Sequence, residues 1–355
     1  MNAVRIGILT GGGDCPGLNA ALRAVVRTTE ETYGGFVIGY RHGWRGVAEG
    51  DSVELTGTST HAILAAGGTV LGTSRFHPED HEGAVGRVVD TLRRDRIGAL
   101  VVLGGDGSLA AARPIVASGI PVVGVPKTID NDVLGTDACI GFDTALTTAT
   151  DAIDRIHTTA ESHDRVMIVE VMGHRAGWLA VCAGIAGGAH AILTPEQPFD
   201  IDQVAASIRH RHRRDNFSIV VVAEGATPVA DGAGPAADSP AADSPDPSTF
   251  LPSSRDPVAG AVGSQVRADL SRLTGFESRL VVLGHLQRGG VPSAADRLLA
   301  TRLGVAAVEA VQAGHVDVMV GLVGGEIAHV ELATATSGTR PVPDALLAVA
   351  RALCG

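Results

Sequence analysis

Short apolar runs alternate with amphipathic segments along the first half of the chain. Val4–Leu9, Phe36–Tyr40, Ala99–Leu103 and Ile120–Val125 are rich in β-branched residues. Glycine or proline lies close to each of them, the pattern of strands buried on both faces. Between them, Leu18–Arg27, Ala84–Arg94 and Leu109–Ala117 carry apolar residues at helical spacing. The pattern continues with a long helix over Asp143–Ser162 and a strand at Val166–Val171. A helix at Trp178–Ala186 and strands at Ala191–Leu193, Ser218–Ala223 and Arg279–Leu283 follow, with helices at Val258–Leu273 and Ala294–Ala313. Regular alternation of strand and helix predicts an α/β protein with mainly parallel sheets. Its second half repeats the theme of the first, which implies two similar lobes and a central cleft. The expected division is a first lobe over 1–140 plus part of the C-terminal region and a second over 141–310. The remaining segment, 311–355, packs back on them.

One stretch breaks the pattern. Residues 226–257 are rich in Ala, Asp, Ser and Pro, and Ala-Ala-Asp-Ser-Pro occurs in tandem at 236–240 and 241–245. Low hydrophobicity with repeated proline predicts a disordered surface loop without a catalytic role.

Composition narrows the function classes. The 355 residues suffice for two domains, and 28 basic against 39 acidic side chains give a net charge of −11, which argues against a nucleic-acid partner. No apolar stretch is long enough to span a bilayer, and Met1–Arg5 runs straight into a strand with no signal-peptide pattern. The four cysteines, Cys15, Cys139, Cys182 and Cys354, have no CxxC spacing, so reduced thiols in a cytoplasmic protein are expected rather than structural zinc.

Candidate chemistry collects where strands end. Ligand sites of open α/β sheets lie outside the carboxyl ends of the strands. Three strand ends here carry glycine or acid: Thr10-Gly-Gly-Gly-Asp14, Gly104-Gly-Asp-Gly-Ser108 and Pro126-Lys-Thr-Ile-Asp-Asn-Asp132. Glycines let backbone N–H groups approach phosphates, and Asp106 is a natural Mg2+ ligand, because Mg2+ takes one or two carboxylates plus phosphate oxygens. Asp130 and Asp132 can divide labour, one as a general base and one near the metal. The glycine turns have neither the dinucleotide-binding spacing nor the Lys-Ser/Thr ending of a P-loop. Later strand ends carry Met172-Gly-His-Arg175, Glu224-Gly225 and Gly284-His-Leu-Gln-Arg-Gly-Gly290, the last a plausible phosphate clamp. Arg165 and Arg279 each stand near the start of a strand.

Taken in order, these motifs resemble the 6-phosphofructokinase family, from Ile6 to about Gly304 with the proline-rich stretch as an insertion. The combination is similar to a mixed-motif actinobacterial-type branch. The resemblance implies two Rossmann-like lobes and transfer of a phosphoryl group to the 1-hydroxyl of fructose 6-phosphate, a step of glycolysis. It implies Asp130 as the base, with Thr128 and Lys127 beside it, and Asp106 holding Mg2+. Gly13, Arg75, Phe76, Gly105, Asp106, Gly107 and Ser108 would line the donor site. Thr128, Ile129, Asp130, Met172, Gly173, His174, Glu224, His285, Leu286, Gln287 and Arg288 would contact the sugar phosphate. Arg165 and Arg279 match arginines that reach a neighbouring subunit's site, which implies a homodimer or homotetramer.

The family divides by phosphoryl donor. Pyrophosphate users carry Asp after Gly-Gly-Asp together with the Lys of Pro-Lys-Thr-Ile-Asp, whereas ATP users carry Gly at both places. Here Gly107 and Lys127 stand at those positions, so the two signals conflict. A side chain at 107 would occupy the volume of an ATP α-phosphate, and Gly107 leaves that space open, which favours ATP. The alternatives are a pyrophosphate-dependent enzyme and, more remotely, an inactive sugar-phosphate sensor. Trp44 lies near a position where related enzymes place an aromatic residue against adenine. Arg23 and Arg27 match two effector-site arginines, but His157 and His190 replace another arginine and an acid, which implies weak or absent regulation by phosphoenolpyruvate.

Overall fold

The structure, a computed structural model, describes residues 4–229 and 258–353. The described chain is α/β, and it divides into two compact units. One is drawn from Met1–Thr148 and His285–Arg340, the other from Ala149–Gly284 and Pro341–Gly355. The chain passes from the first to the second inside the long helix Phe142–Ser162.

The first unit holds a seven-stranded sheet. Its strands are β1 (Arg5–Thr10), β2 (Phe36–Tyr40), β3 (Ser52–Leu55), β4 (Ala99–Gly104) and β5 (Val122–Pro126), joined much later by β10 (Val318–Val323) and β11 (Glu326–Glu331). The order is β11-β10-β5-β4-β1-β2-β3. Strands β10, β5, β4, β1 and β2 run parallel, and β3 and β11 close the edges antiparallel. From β1 the chain moves one way to β2 and later the other way to β4 and β5. The order therefore reverses between β1 and β4, and the crevice at such a switch point is where open α/β sheets bind ligands. Strands β4 and β5 are buried along their whole length, and Leu9, Leu100, Val102, Val122 and Leu109 pack with Trp44 and Tyr40 in one apolar cluster.

The second unit holds a four-stranded, all-parallel sheet: β6 (Val166–Val171), β7 (Ala191–Leu193), β8 (Ser218–Ala223) and β9 (Ser278–Val282), ordered β7-β8-β6-β9. Buried Glu170 on β6 accepts from the N–H groups of Gly260 (2.5 Å) and Gly263 (2.7 Å), and so fastens the start of helix Ala261–Thr274.

Three expectations change. Leu109–Ala117 is two helices, Asp106–Ala110 and Arg113–Ala117, because Pro114 starts a new helix rather than continuing one. Ser108 therefore lies inside a helix and caps nothing. Strands β3, β10 and β11 were not anticipated; β10 and β11 form a hairpin on Gly324-Gly325, both in the left-handed region (φ 58° and 90°), as a tight two-residue turn demands. Of the segment 226–257, Ala226–Val229 is placed, with Val229 N–H donating to Phe199 O (2.8 Å), whereas 230–257 lies outside the described residues. Among the described residues, no helix is long and apolar enough to cross a membrane. Among the described residues Cys15, Cys139 and Cys182 form no disulfide, and burial pushes the Cys15 thiol up to about 12; Cys354 lies outside the described residues.

Candidate active site

In the first unit, the turns after β1 and β4 meet at the switch point. Gly11 N–H donates to Leu103 O (2.9 Å), and Lys127 N–H donates to Gly104 O (3.0 Å). A β-carbon on Gly11 would lie 2.7 Å from the Ser108 hydroxyl, so only glycine lets the two turns close up. Trp44, buried, donates its indole N–H to Ser108 O (3.1 Å). It braces helix Asp106–Ala110 from inside the core and offers no face to a nucleotide.

Lys127 ends this assembly from below. Its side chain is 2% exposed, and Nζ donates to Gly11 O (2.6 Å) and Gly13 O (2.7 Å). Burial pulls its pKa down; the charges of Asp130 and Asp14 oppose that and Arg288 adds to it. Arg288 approaches the same loop, donating from Nη1 to Asp14 O (3.3 Å). A β-carbon on Gly13 would run into its guanidinium.

The loop after β5 brings the acids. Thr128 Oγ1 donates to Asp130 Oδ2 (3.1 Å) and accepts from Asp130 N–H (3.1 Å). Asp130 Oδ1 is buried and, among the described residues, has no hydrogen-bond partner. Asn131 adopts a left-handed backbone (φ 54°), and its Oδ1 accepts from Cys139 N–H (2.9 Å). Arg340, which the sequence reading missed, fixes this turn: Nη1 donates to Asn131 O (3.0 Å) and its N–H to Asp132 O (2.7 Å). Burial, followed by the charges of Asp130 and Asp106, pushes the Asp132 carboxyl up to about 7. Ile129 is fully buried behind them. Asp106 is exposed, with Oδ1 accepting from Gly107 N–H (2.6 Å).

Other expected donor and acceptor residues are spread more widely. Arg75 is exposed; Phe76 stacks on His81 (ring centroids 4.3 Å apart) and packs against the core. His285 and Leu286 are exposed, Leu286 at 71%, while Gln287 is fully buried.

In the second unit, Met172, Gly173 and His174 follow β6, and Glu224 follows β8. His174 N–H donates to Glu224 Oε1 (3.0 Å), and Glu224 N–H to Val171 O (2.9 Å). Gly173 has φ 144°, and a β-carbon there would lie 2.6 Å from Ala176 O. Arg165 and Arg279 lie at the opposite, N-terminal ends of β6 and β9 and are not brought to this group. Both pair with Glu277, Arg165 at 3.1 Å. His157 and His190 pack edge-on to Phe217, at 5.8 and 5.6 Å between ring centroids. In the first unit Arg27 pairs with Glu31 at 2.7 Å.

Glycine turns and an acid-rich loop at the switch point of a parallel sheet define an α/β enzyme that handles phosphorylated ligands. Comparison with known proteins gives its family. The phosphofructokinase family model matches residues 5–311. The chain is 48% identical over 344 residues to a pyrophosphate–fructose 6-phosphate 1-phosphotransferase of Amycolatopsis methanolica, covering 96% of each. It is 46% identical over 347 residues to an ATP-dependent 6-phosphofructokinase of Mycobacterium leprae, covering 96% of this chain and 97% of that one. Pichia pastoris phosphofructokinase superposes with a TM-score of 0.79 at 30% identity, over 99% of this chain and 36% of the longer yeast chain. The chain belongs to the phosphofructokinase family.

Proposed function

We propose that this chain is an ATP-dependent 6-phosphofructokinase, transferring the terminal phosphoryl group of ATP to the 1-hydroxyl of fructose 6-phosphate in the cytoplasm. The observation that carries this reading is Asp130 Oδ1, a buried carboxylate oxygen with no partner beside one that Thr128 already occupies. A buried unsatisfied acceptor is costly and calls for a ligand, and a sugar hydroxyl supplies the missing donor.

In this reading Asp130 takes the hydroxyl proton as the oxygen attacks phosphorus, and Thr128 holds the carboxylate so that Oδ1 faces the acceptor. The turns at Gly11–Gly13 and Gly105–Ser108 hold the donor phosphates. Phosphoryl transfer needs little beyond positioning and charge stabilisation, which these groups supply. Among the described residues, no three His, Cys, Asp or Glu side chains form a metal cage. Asp106, exposed and close enough to Asp132 to raise its pKa, suits Mg2+, which fills most of its shell with water and phosphate oxygens. When bound, Mg2+ neutralises charge on the donor phosphates. Met172, Gly173, His174 and Glu224 would bind the sugar phosphate. Arg165 and Arg279, gathered by Glu277, would serve a neighbouring subunit in a homodimer or homotetramer.

Gly107 supports ATP over pyrophosphate, because it places no side chain in the volume of an ATP α-phosphate. Lys127 donates to Gly11 O and Gly13 O and keeps a third N–H, so it holds the donor loop with either donor. The test supplies fructose 6-phosphate and Mg2+ with ATP in one tube and pyrophosphate in the other. Fructose 1,6-bisphosphate forms with ATP alone. Activity with pyrophosphate alone overturns the donor, and activity with neither overturns the reaction.

A further inference from the structure

His77 bounds one side of Gly107. A β-carbon built on Gly107 would lie 3.1 Å from Cε1 and 3.7 Å from Nε2 of His77. The outer edge of the imidazole therefore faces the glycine at the second donor turn. Its backbone is anchored on both sides. Phe76 before it stacks on His81. Pro78 after it is buried, and His77 O accepts from Asp80 N–H (3.1 Å) in a short turn. The ring is half-buried, and among the described residues neither ring nitrogen has a hydrogen-bond partner. An anchored imidazole with an unused nitrogen, turned toward a glycine at a phosphate turn, is a donor in search of an anion.

We propose that His77 is a donor-specificity residue. Its Nε2–H hydrogen-bonds the phosphate next to the nucleoside, so that choice of donor rests on the pair His77–Gly107. This rests on the ATP reading above. Glycine at 107 then serves a second purpose besides room for phosphate, since a β-carbon there would press on the imidazole that reads the nucleotide, 3.1 Å from its Cε1. It follows that Gly107→Asp alone does not make a pyrophosphate enzyme, because the new carboxylate meets His77 first and either displaces it or pairs with it.

The experiment measures the dissociation constant of ADP with Mg2+ by calorimetry, alongside steady-state KM values. The proteins are wild type, His77→Ala, His77→Gln, Gly107→Asp and the double variant His77→Ala/Gly107→Asp. A hydrogen bond to a charged group sets the scale: His77→Ala weakens ADP about tenfold or more and raises KM for ATP to match. KM for fructose 6-phosphate moves less than about twofold, and His77→Gln, which keeps an N–H donor, recovers part of the loss. The two substitutions are non-additive, with Asp at 107 costing less once His77 is gone. An enzyme that uses ATP but binds ADP equally well with alanine at 77, or a strictly additive cycle, overturns the proposal. A wild-type enzyme that binds no ADP and uses pyrophosphate overturns the donor reading itself, and that result is seen before any variant is made.

Discussion

In the first unit, the turns after β1, β4 and β5 bring a buried ammonium, two buried carboxylates and an exposed Asp106 to one end of a sheet. In the second, the turns after β6 and β8 bring a thioether, a strained glycine and one carboxylate, Glu224, which already accepts from His174 N–H. Both units use the same device, a parallel strand ending in a tight turn, but they load it differently. Burial perturbs the charges of the first: it pushes Asp132 up to about 7, with Asp130 and Asp106 adding to it, and pulls Lys127 down. Such perturbed groups mark chemistry. The second unit's acid is satisfied by its own backbone, as suits a residue that keeps the shape of a binding loop. On this account the first unit carries the reaction and the second unit's residues bind the acceptor.

The sharpest way to break that contrast is Asp130→Asn. Loss of a general base lowers kcat about a hundredfold to ten-thousandfold, with thermal melting unchanged. Activity within about tenfold of wild type would remove Asp130 from the role. Next comes Glu170→Ala in the second unit, which strands the N–H groups of Gly260 and Gly263. Destabilisation of about 2–3 kcal/mol is expected, read by urea unfolding, with kcat intact while the protein stays folded. A large kcat effect would blur the division between the units. Lys127→Met, third, removes the strut from Gly11 and Gly13 and raises KM for the donor about tenfold, the scale of one charge-assisted hydrogen bond. An unchanged donor KM would make the strut incidental.

The smallest effect is a pH slope. Burial, with the charges of Arg211 and His157 adding to it and that of Asp215 opposing it, holds the His190 imidazole down at about 4, while Nδ1 accepts from Ile219 N–H (2.8 Å). The native state keeps His190 neutral where the unfolded chain, with a histidine near 6.5, takes a proton. Stability from this site is therefore complete above about pH 6.5 and falls as the pH drops toward about 4. His190→Gln keeps an acceptor for Ile219 and should flatten that acid limb in urea titrations. Identical limbs would show that the site contributes nothing.

How much of this was legible in the sequence follows from where the information lies. Strands β4, β6 and β8 are buried on both faces, so they read as apolar runs, interrupted in β6 only by Glu170, and were located directly. Strand β10 is buried only over Met319–Gly321 and opens to solvent toward the hairpin, and β11 is at most half-buried. Their best signal, the Gly324-Gly325 turn after a short apolar run, was passed over. The acids and glycines of the site lie in short contiguous motifs and were found as such. Arg340 reaches Asn131 across 209 residues, Glu277 gathers Arg165 from a distant turn, and His77 meets Gly107 only through folding. No local pattern announces such partners. The same distinction explains Lys127, whose presence was plain but whose burial against Gly11 and Gly13 could be read only from the fold. Trp44 and Gln287 were legible as residues of the right kind, and folding buried both, Trp44 as a brace on Ser108 O.

The most direct test of the contrast between the units is equilibrium binding of fructose 6-phosphate to Asp130→Asn and Glu224→Gln, measured side by side with kcat. The account predicts that Asp130→Asn keeps its affinity within about threefold while kcat collapses, the mark of a group needed only in the transition state. Glu224→Gln does the reverse, losing affinity several-fold with kcat largely retained. Equal losses of affinity and kcat in both variants would contradict it, because the two units would then not divide chemistry from binding.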